Sequence, residues 1–186
     1  MRRIINSTYI SLDGAIQDPQ DWPGNGIEPD GTGLKVQTDL LFACDAVLMG
    51  GRTYPSFAAA WTARSGDPMS DRINSMTKYV VSSTLRDPEW NNTTVISGDV
   101  ITEIRRLKEQ PGLDIVQYGF GQLSYALLEH GLLDELRLWV HPLFVGQATS
   151  ADLLFRPSAT AQLKLADTLA LNTGIVILTY RIPSSH

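Results

Sequence analysis

Three short stretches carry residue types that bind anionic groups: Gly50-Gly51-Arg52-Thr53, Ser82-Ser83-Thr84 and Tyr118-Gly119-Phe120-Gly121-Gln122-Leu123. The third is the most telling. Ile115 and Val116 before it are β-branched and apolar, as a buried strand requires. Leu123, Ala126 and Leu127 after it follow at the spacing of one helix face, and Gly131 stands where a helix-ending glycine belongs. The stretch therefore reads as strand, glycine turn, helix. Two glycines let backbone N–H groups approach a bound group closely, and the helix start behind them carries partial positive charge. A nucleotide pyrophosphate suits such a place; a tight turn with no ligand fits the same residues. The dinucleotide fingerprint G-x-G-x-x-G is incomplete, because Ser124 replaces its third glycine and the next strand supplies no ribose-binding acid.

The other two stretches have the same form. Ala46-Val47-Leu48-Met49 reads as a buried strand running into Gly50, Gly51, Arg52 and Thr53. Lys78-Tyr79-Val80-Val81 reads as another, ending in Ser82, Ser83 and Thr84. In open α/β sheets, ligands bind beyond the carboxyl ends of the strands. Three such ends with small or hydroxyl residues point to one extended, phosphate-bearing ligand. Arg52 adds a planar cationic fork that matches a phosphate.

The elements that position these stretches read as follows. Residues 4–12 form a first strand, apolar on both faces near its start, hence central rather than edge. Residues 15–32 form a long loop carrying Trp22, and loops of that length in compact domains are usually functional. Residues 34–44 read as a helix, with Cys44 as packing, and residues 54–61 as another that tolerates Pro55 in its first turn. Residues 63–71 read as polar loop, and residues 94–96 as a short strand. Asp99 is the N-cap of a helix whose core face is Val100, Ile104 and Leu107. In residues 135–141, Leu136, Leu138 and Val140 alternate with Glu135, Arg137 and Trp139, a strand with one dry face. Residues 161–166 and 174–182 read as closing strands. Eight strands with interleaved helices fit one α/β domain over 1–186.

Composition agrees with an ordinary globular chain: 186 residues, 43% hydrophobic and 19% charged. A net charge of −5 with no basic cluster argues against nucleic acid. No run is long enough to span a membrane, and the first residues do not form a signal-peptide core. One cysteine excludes an internal disulfide and suits a reducing cytoplasm. The three histidines have no metal-site spacing, and no G-x-S-x-G elbow is present.

Four pieces in order resemble the dihydrofolate reductase-like family that includes the C-terminal reductase domain of bacterial riboflavin-biosynthesis deaminase–reductases. They are Ser11-Leu12-Asp13-Gly14, Leu48 through Tyr54, Lys78 through Leu85, and Tyr118 through Leu123 running into Leu133-Asp134-Glu135-Leu136. The resemblance implies a dihydrofolate reductase-like α/β fold, a mostly parallel eight-stranded twisted sheet flanked by helices. It implies NADPH across the strand ends. Gly50, Gly51, Arg52 and Thr53 would meet phosphates, and Ser82, Ser83 and Thr84 would lie by the adenosine phosphate. Tyr118, Gly119, Phe120, Gly121, Gln122 and Leu123 would cradle the pyrophosphate, with Tyr9 and Ile16 bordering the nicotinamide.

The departures bear on substrate. Dihydrofolate reductases carry a carboxylate on the first helix, where this chain has Leu34, with Asp30 and Asp39 out of place. The glycine turn reads Gly-Phe-Gly, where the family more often has Gly-Ser-Gly, and residues 145–150 replace a second glycine turn. No deaminase zinc motif is present. The expected activity is NADPH-dependent reduction of a small heterocyclic or carbonyl substrate, pterin- or pyrimidine-like. Its alternatives are a dinucleotide-binding protein without turnover and the riboflavin-pathway pyrimidine reductase itself. Asp13 orients substrate or delivers a proton, or it caps the Gly14 turn through its side chain. Trp22 and Trp61 either line a substrate cleft or pack. A homodimer is expected, with Trp139 or Phe144 in the contact, because the 142–145 run extends an apolar surface.

Overall fold

The computed structural model describes residues 1–23, 31–157 and 159–183. The expectations for Asp30 and for much of the 15–32 loop lie outside them. Eight strands form one sheet: β1 (Ile4–Ser11), β2 (Cys44–Gly50), β3 (Thr77–Val81), β4 (Thr93–Ile96), β5 (Asp114–Tyr118), β6 (Glu135–His141), β7 (Lys164–Ala170) and β8 (Val176–Arg181). The helices are α1 (Gly31–Ala43), α2 (Tyr54–Thr62), α3 (Pro68–Ser75), α4 (Val100–Glu109) and α5 (Gln122–Glu129). The spatial order is β4-β3-β2-β5-β1-β6-β8-β7. Every neighbouring pair from β4 to β6 is parallel; β8 returns antiparallel to β6, and β7 antiparallel to β8.

Buried on both faces, the central strands separate two apolar layers. Ile4, Leu48 and Ile115 meet Ile104 and Leu107 of α4 and Leu127 of α5. Ile5, Val47 and Val116 meet Leu40 and Leu41 of α1, Tyr54 of α2 and Ile73 of α3. β1 sits between β5 and β6, as its two-sided apolar start requires. The fold class is the expected one, an α/β sandwich around a mostly parallel sheet.

Several local expectations are corrected. Residues 68–71 of the expected 63–71 loop are helical, the first half of α3: Asp67 caps it, its carboxylate accepting from the Met69 and Ser70 N–H groups at 3.1 and 2.9 Å. Cys44 opens β2 instead of closing α1, and its thiol is pushed up to about 12 by burial. Ser82 to Thr84 lie beyond the end of β3. β7 begins at Lys164 and is exposed along its whole length. On β6 the wet face is not wet. Trp139, opposite Ile177 on β8, is 1% exposed and packs with Leu171 and Ile175. Its indole N–H donates to Ser7 Oγ at 3.1 Å. Trp139 therefore cannot be a dimer contact. Phe144 is 68% exposed.

Candidate active site

The carboxyl ends of β3, β2, β5 and β1 lie side by side, because these strands are neighbours and parallel. The three anion-ready stretches thus meet on one edge of the sheet. Two glycines fit them together. A β-carbon on Gly51 would fall 2.8 Å from Ser82 Oγ, and the Gly51 N–H donates to the Val81 carbonyl at 2.9 Å. Gly119 has φ +77° and a β-carbon there would fall 2.7 Å from Thr53 Oγ1. Only glycine meets both conditions at position 119 without strain.

The Gly119 carbonyl is tied into the sheet by side chains beneath it. Asn6 Nδ2 donates to it at 2.9 Å and to Gln117 Oε1 at 3.0 Å. Thr8 Oγ1 donates to Asn6 Oδ1 at 2.7 Å, and Ser124 Oγ donates to the Gly119 carbonyl at 3.3 Å. Such a satisfied buried network fixes one geometry. Gly121 then caps α5, and a β-carbon on it would meet nothing within 4 Å. Phe120 resolves the Gly-Phe-Gly departure: its ring turns into the core and meets Tyr125 edge-on at 5.0 Å. Phe120 can offer a ligand only its backbone, and Leu123 packs against the same core.

Two cavities open along this edge. One, of about 550 Å³, is bounded by Gly51, Arg52, Ser82, Ser83, Thr84 and Gly98. The other, of about 470 Å³, lies beside Tyr9, Ile16, Gln37, Thr53, Trp61 and Tyr118. Arg52 borders both; its guanidinium reaches Asp152 Oδ1 at 3.4 Å and is otherwise exposed. The Ser82 hydroxyl accepts from the Leu85 N–H at 3.0 Å, which sets the turn at the first cavity's wall. Gly119 and Trp61 border the second, where the Arg64 guanidinium lies 5.4 Å from the Trp61 ring centre.

Not every expected residue comes to these cavities. Asp13 is exposed, and its carboxylate accepts from Ser11 Oγ at 2.5 Å and from the Val145 and Gly146 N–H groups at 3.1 and 2.9 Å. These bonds hold its carboxyl down at about 2. An ionised carboxylate committed to clamping the 145–146 loop holds no proton to deliver at neutral pH, which favours a positioning role for Asp13. Trp22 is 4% exposed and does not border either cavity. Its indole N–H donates to the Gln17 carbonyl at 2.9 Å and its ring meets His141 edge-on at 5.6 Å. Trp22 packs; it does not line a cleft.

Other residues at the second cavity were not foreseen, Gln37 foremost. It lies on the buried face of α1 with Gly33, Leu40 and Leu41, and a polar residue in an apolar stripe was its visible signal. Asp39 instead pairs with Lys35 on the exposed face. Gln37 Nε2 donates to the Tyr9 hydroxyl at 3.4 Å. Gln37 Oε1 and the Tyr118 hydroxyl are buried without a partner among the described residues. Burial pushes the Tyr118 phenol far above its ordinary range and raises that of Tyr9.

Comparisons with known proteins agree with the fold. The chain is 29% identical, over 96% of its length and 94% of the relative's, to the uncharacterized protein YyaP of Bacillus subtilis. Its fold is similar to that of a putative riboflavin biosynthesis protein from a Shewanella species. The TM-score is 0.69 at 17% identity, covering 97% of this chain and 99% of that one. A pyrimidine reductase-like protein from Corynebacterium diphtheriae gives 0.61 at 14%, covering 99% and 93%. A bifunctional deaminase and uracil reductase from Thermotoga maritima gives 0.66 at 15%, covering 98% of this chain and 57% of that longer one. The model of the RibD C-terminal domain matches residues 2–177, and the chain belongs to the RibD C-terminal domain family.

Proposed function

We propose that the chain is an NADPH-dependent reductase of a small heterocyclic or carbonyl substrate, pterin- or pyrimidine-like. Family membership supports a reductase-like role related to riboflavin biosynthesis. The observation that carries the finer reading is the pair of cavities joined at Arg52 over adjacent parallel strand ends. The donor set suits a phosphorylated dinucleotide. Arg52 and the Ser82 to Thr84 hydroxyls offer charged and neutral donors to a ribose phosphate. Gly121, where a β-carbon would meet nothing within 4 Å, leaves backbone room for a pyrophosphate ahead of α5. The second cavity then takes the nicotinamide and the substrate, between Tyr9, Ile16, Trp61 and Tyr118. When bound, the reduced nicotinamide supplies the hydride; the protein supplies orientation and a partly dry pocket.

NADPH oxidation with pterins, pyrimidines and quinones tests this reading. Tight binding without turnover across the panel would favour a dinucleotide-binding protein instead. The riboflavin-pathway pyrimidine reductase itself is the second reading. It is favoured by Arg64 beside Trp61, a guanidinium that makes no direct salt bridge among the described residues, though it lies near enough to Asp67 to add to Ser70 in lowering that carboxyl's pKa, and that is suited to a substrate phosphate. Complementation of a strain lacking that step decides it. The proposal includes a cytoplasmic homodimer. No helix among the described residues is long and apolar enough to cross a membrane. The exposed edge strand β7 replaces Trp139 as the contact, since an open edge is a template for a second copy.

A further inference from the structure

We propose that Asp152 is an internal stand-in for a ligand phosphate: its carboxylate engages the Arg52 guanidinium and competes for it with an anionic ligand. This rests on the reading of the strand ends as a dinucleotide site. Arg52 borders both cavities, and its Nη2 lies 3.4 Å from Asp152 Oδ1. It makes no other hydrogen bond or ion pair among the described residues, and its side chain is 65% exposed. Asp152 borders neither cavity and is far better anchored. Its Oδ2 accepts from the Thr149 N–H at 2.9 Å and from the Thr149 hydroxyl at 2.6 Å. Its main-chain carbonyl accepts from the N–H of Ile16, a wall of the second cavity, at 2.8 Å. Thr149 above all, with Arg52 adding, holds the Asp152 carboxyl below the usual carboxylate range, so it is ionised at neutral pH.

The segment that carries Asp152 keeps it in place. Leu153 pairs with Ala15 just beyond β1, and the Leu154 N–H donates to the Gly14 carbonyl at 2.9 Å. The Leu154 carbonyl in turn accepts from the Tyr125 hydroxyl of α5. Arg156 closes the segment on itself, its guanidinium donating to the Leu153 and Ala151 carbonyls at 2.8 and 3.1 Å. Asp152 Oδ1 is thus fixed, whereas Arg52 has one long contact and a flexible stem. When a phosphate arrives, the guanidinium is the partner that moves. A phosphate offers it paired, charge-assisted bonds, and the exposed ion pair that it gives up is weak. The carboxylate left behind repels the anion, through a field that salt screens. Both effects lower the affinity for an anionic ligand, so Asp152 sets how tightly the phosphate is held.

The test uses the intact protein at low ionic strength, with NADPH followed by fluorescence and inorganic pyrophosphate followed by calorimetry. Asp152→Asn keeps an oxygen for Thr149 and removes the charge, so thermal unfolding should change little; Asp152→Ser takes its place if the asparagine variant unfolds. Asp152→Asn should bind both probes at least threefold tighter than the wild type, and the gain should fade at high salt. In the Arg52→Ala background the same substitution should give less than half of that gain, because the competition runs through Arg52. Unchanged or weaker binding by Asp152→Asn overturns the proposal. So does a gain of which half or more survives in the Arg52→Ala background, since that would be repulsion alone. If NADPH binds none of the proteins while pyrophosphate shows the gain through Arg52, the dinucleotide reading falls and the competing carboxylate stands. Binding of neither probe to any of the proteins overturns both.

Discussion

Thr53 and Gly119 interlock: the Thr53 hydroxyl oxygen lies 2.7 Å from where a β-carbon on residue 119 would stand. The glycine turn after β5 is thus seated against the turn after β2. Gly119→Ala adds a left-handed backbone penalty, φ being +77°, to that steric conflict. The expected loss is about 1–3 kcal/mol of stability by denaturant unfolding. Gly119→Ala combined with Thr53→Ala should recover part of the loss, the steric part. If the single variant unfolds like the wild type, the two turns do not bear on each other.

Arg52 borders both cavities and, among the described residues, has only a long contact to Asp152. Arg52→Ala should weaken NADPH by roughly 1–3 kcal/mol, as for a lost charged hydrogen bond, and NADH by less. Equilibrium titration with both nucleotides is the check. Equal losses would place Arg52 at the pyrophosphate rather than at the extra phosphate.

His141 gives the protein an acid-sensitive side. It is fully buried between the Tyr9 and Trp22 rings, with neither ring nitrogen partnered among the described residues. Burial depresses its pKa from 6.5 to about 4. The unfolded chain therefore binds this proton first as pH falls, and stability declines from pH 6.5 toward 4, by up to roughly 3 kcal/mol. Below that, protonation of Asp13, whose folded pKa is about 2 against 3.8, releases the 145–146 clamp. His141→Phe should flatten the upper slope and leave the lower one. An unchanged upper slope in urea melts would assign it to another group.

The proposed homodimer takes a contact other than Trp139. β7 exposes Leu165, and Phe144 is open nearby in sequence to β6. Sedimentation at micromolar concentration should show twice the chain mass, and Leu165→Glu should shift it to one. A single-chain mass in the wild type at all concentrations would end the dimer proposal; a dimer intact in Leu165→Glu would move the interface elsewhere.

What the sequence disclosed and what it hid follow physical lines. β2 and β5 are legible because both their faces are buried, which leaves runs such as Ala46 to Met49 and Ile115-Val116, and β3 because its half-buried face still carries Tyr79 and Val81. Their glycine and hydroxyl ends were legible because few residues suit such turns. α3 was hidden because only Ile73 and Ser70 are buried on it, so no apolar stripe marks it, although Asp67-Pro68 is a cap signal. Trp139 was misplaced because the group that covers it, Leu171, Ile175 and Ile177, comes from a later segment. Asp13 was ambiguous for a similar reason: its partners are backbone N–H groups more than 130 residues away. Gln37 leaves a mark in the sequence, a polar residue on an apolar helix face, but that this face looks onto a cavity depends on elements far along the chain.

The central claim is that a dinucleotide lies across the glycine turn ahead of α5. Gly121→Val tests it most directly, because a β-carbon at 121 meets no protein atom within 4 Å and so spares the fold. NADPH binding should be measured by fluorescence titration alongside thermal unfolding of both proteins. An unchanged unfolding temperature and an affinity for NADPH lowered at least tenfold are expected. Wild-type affinity in a folded Gly121→Val protein would contradict the claim.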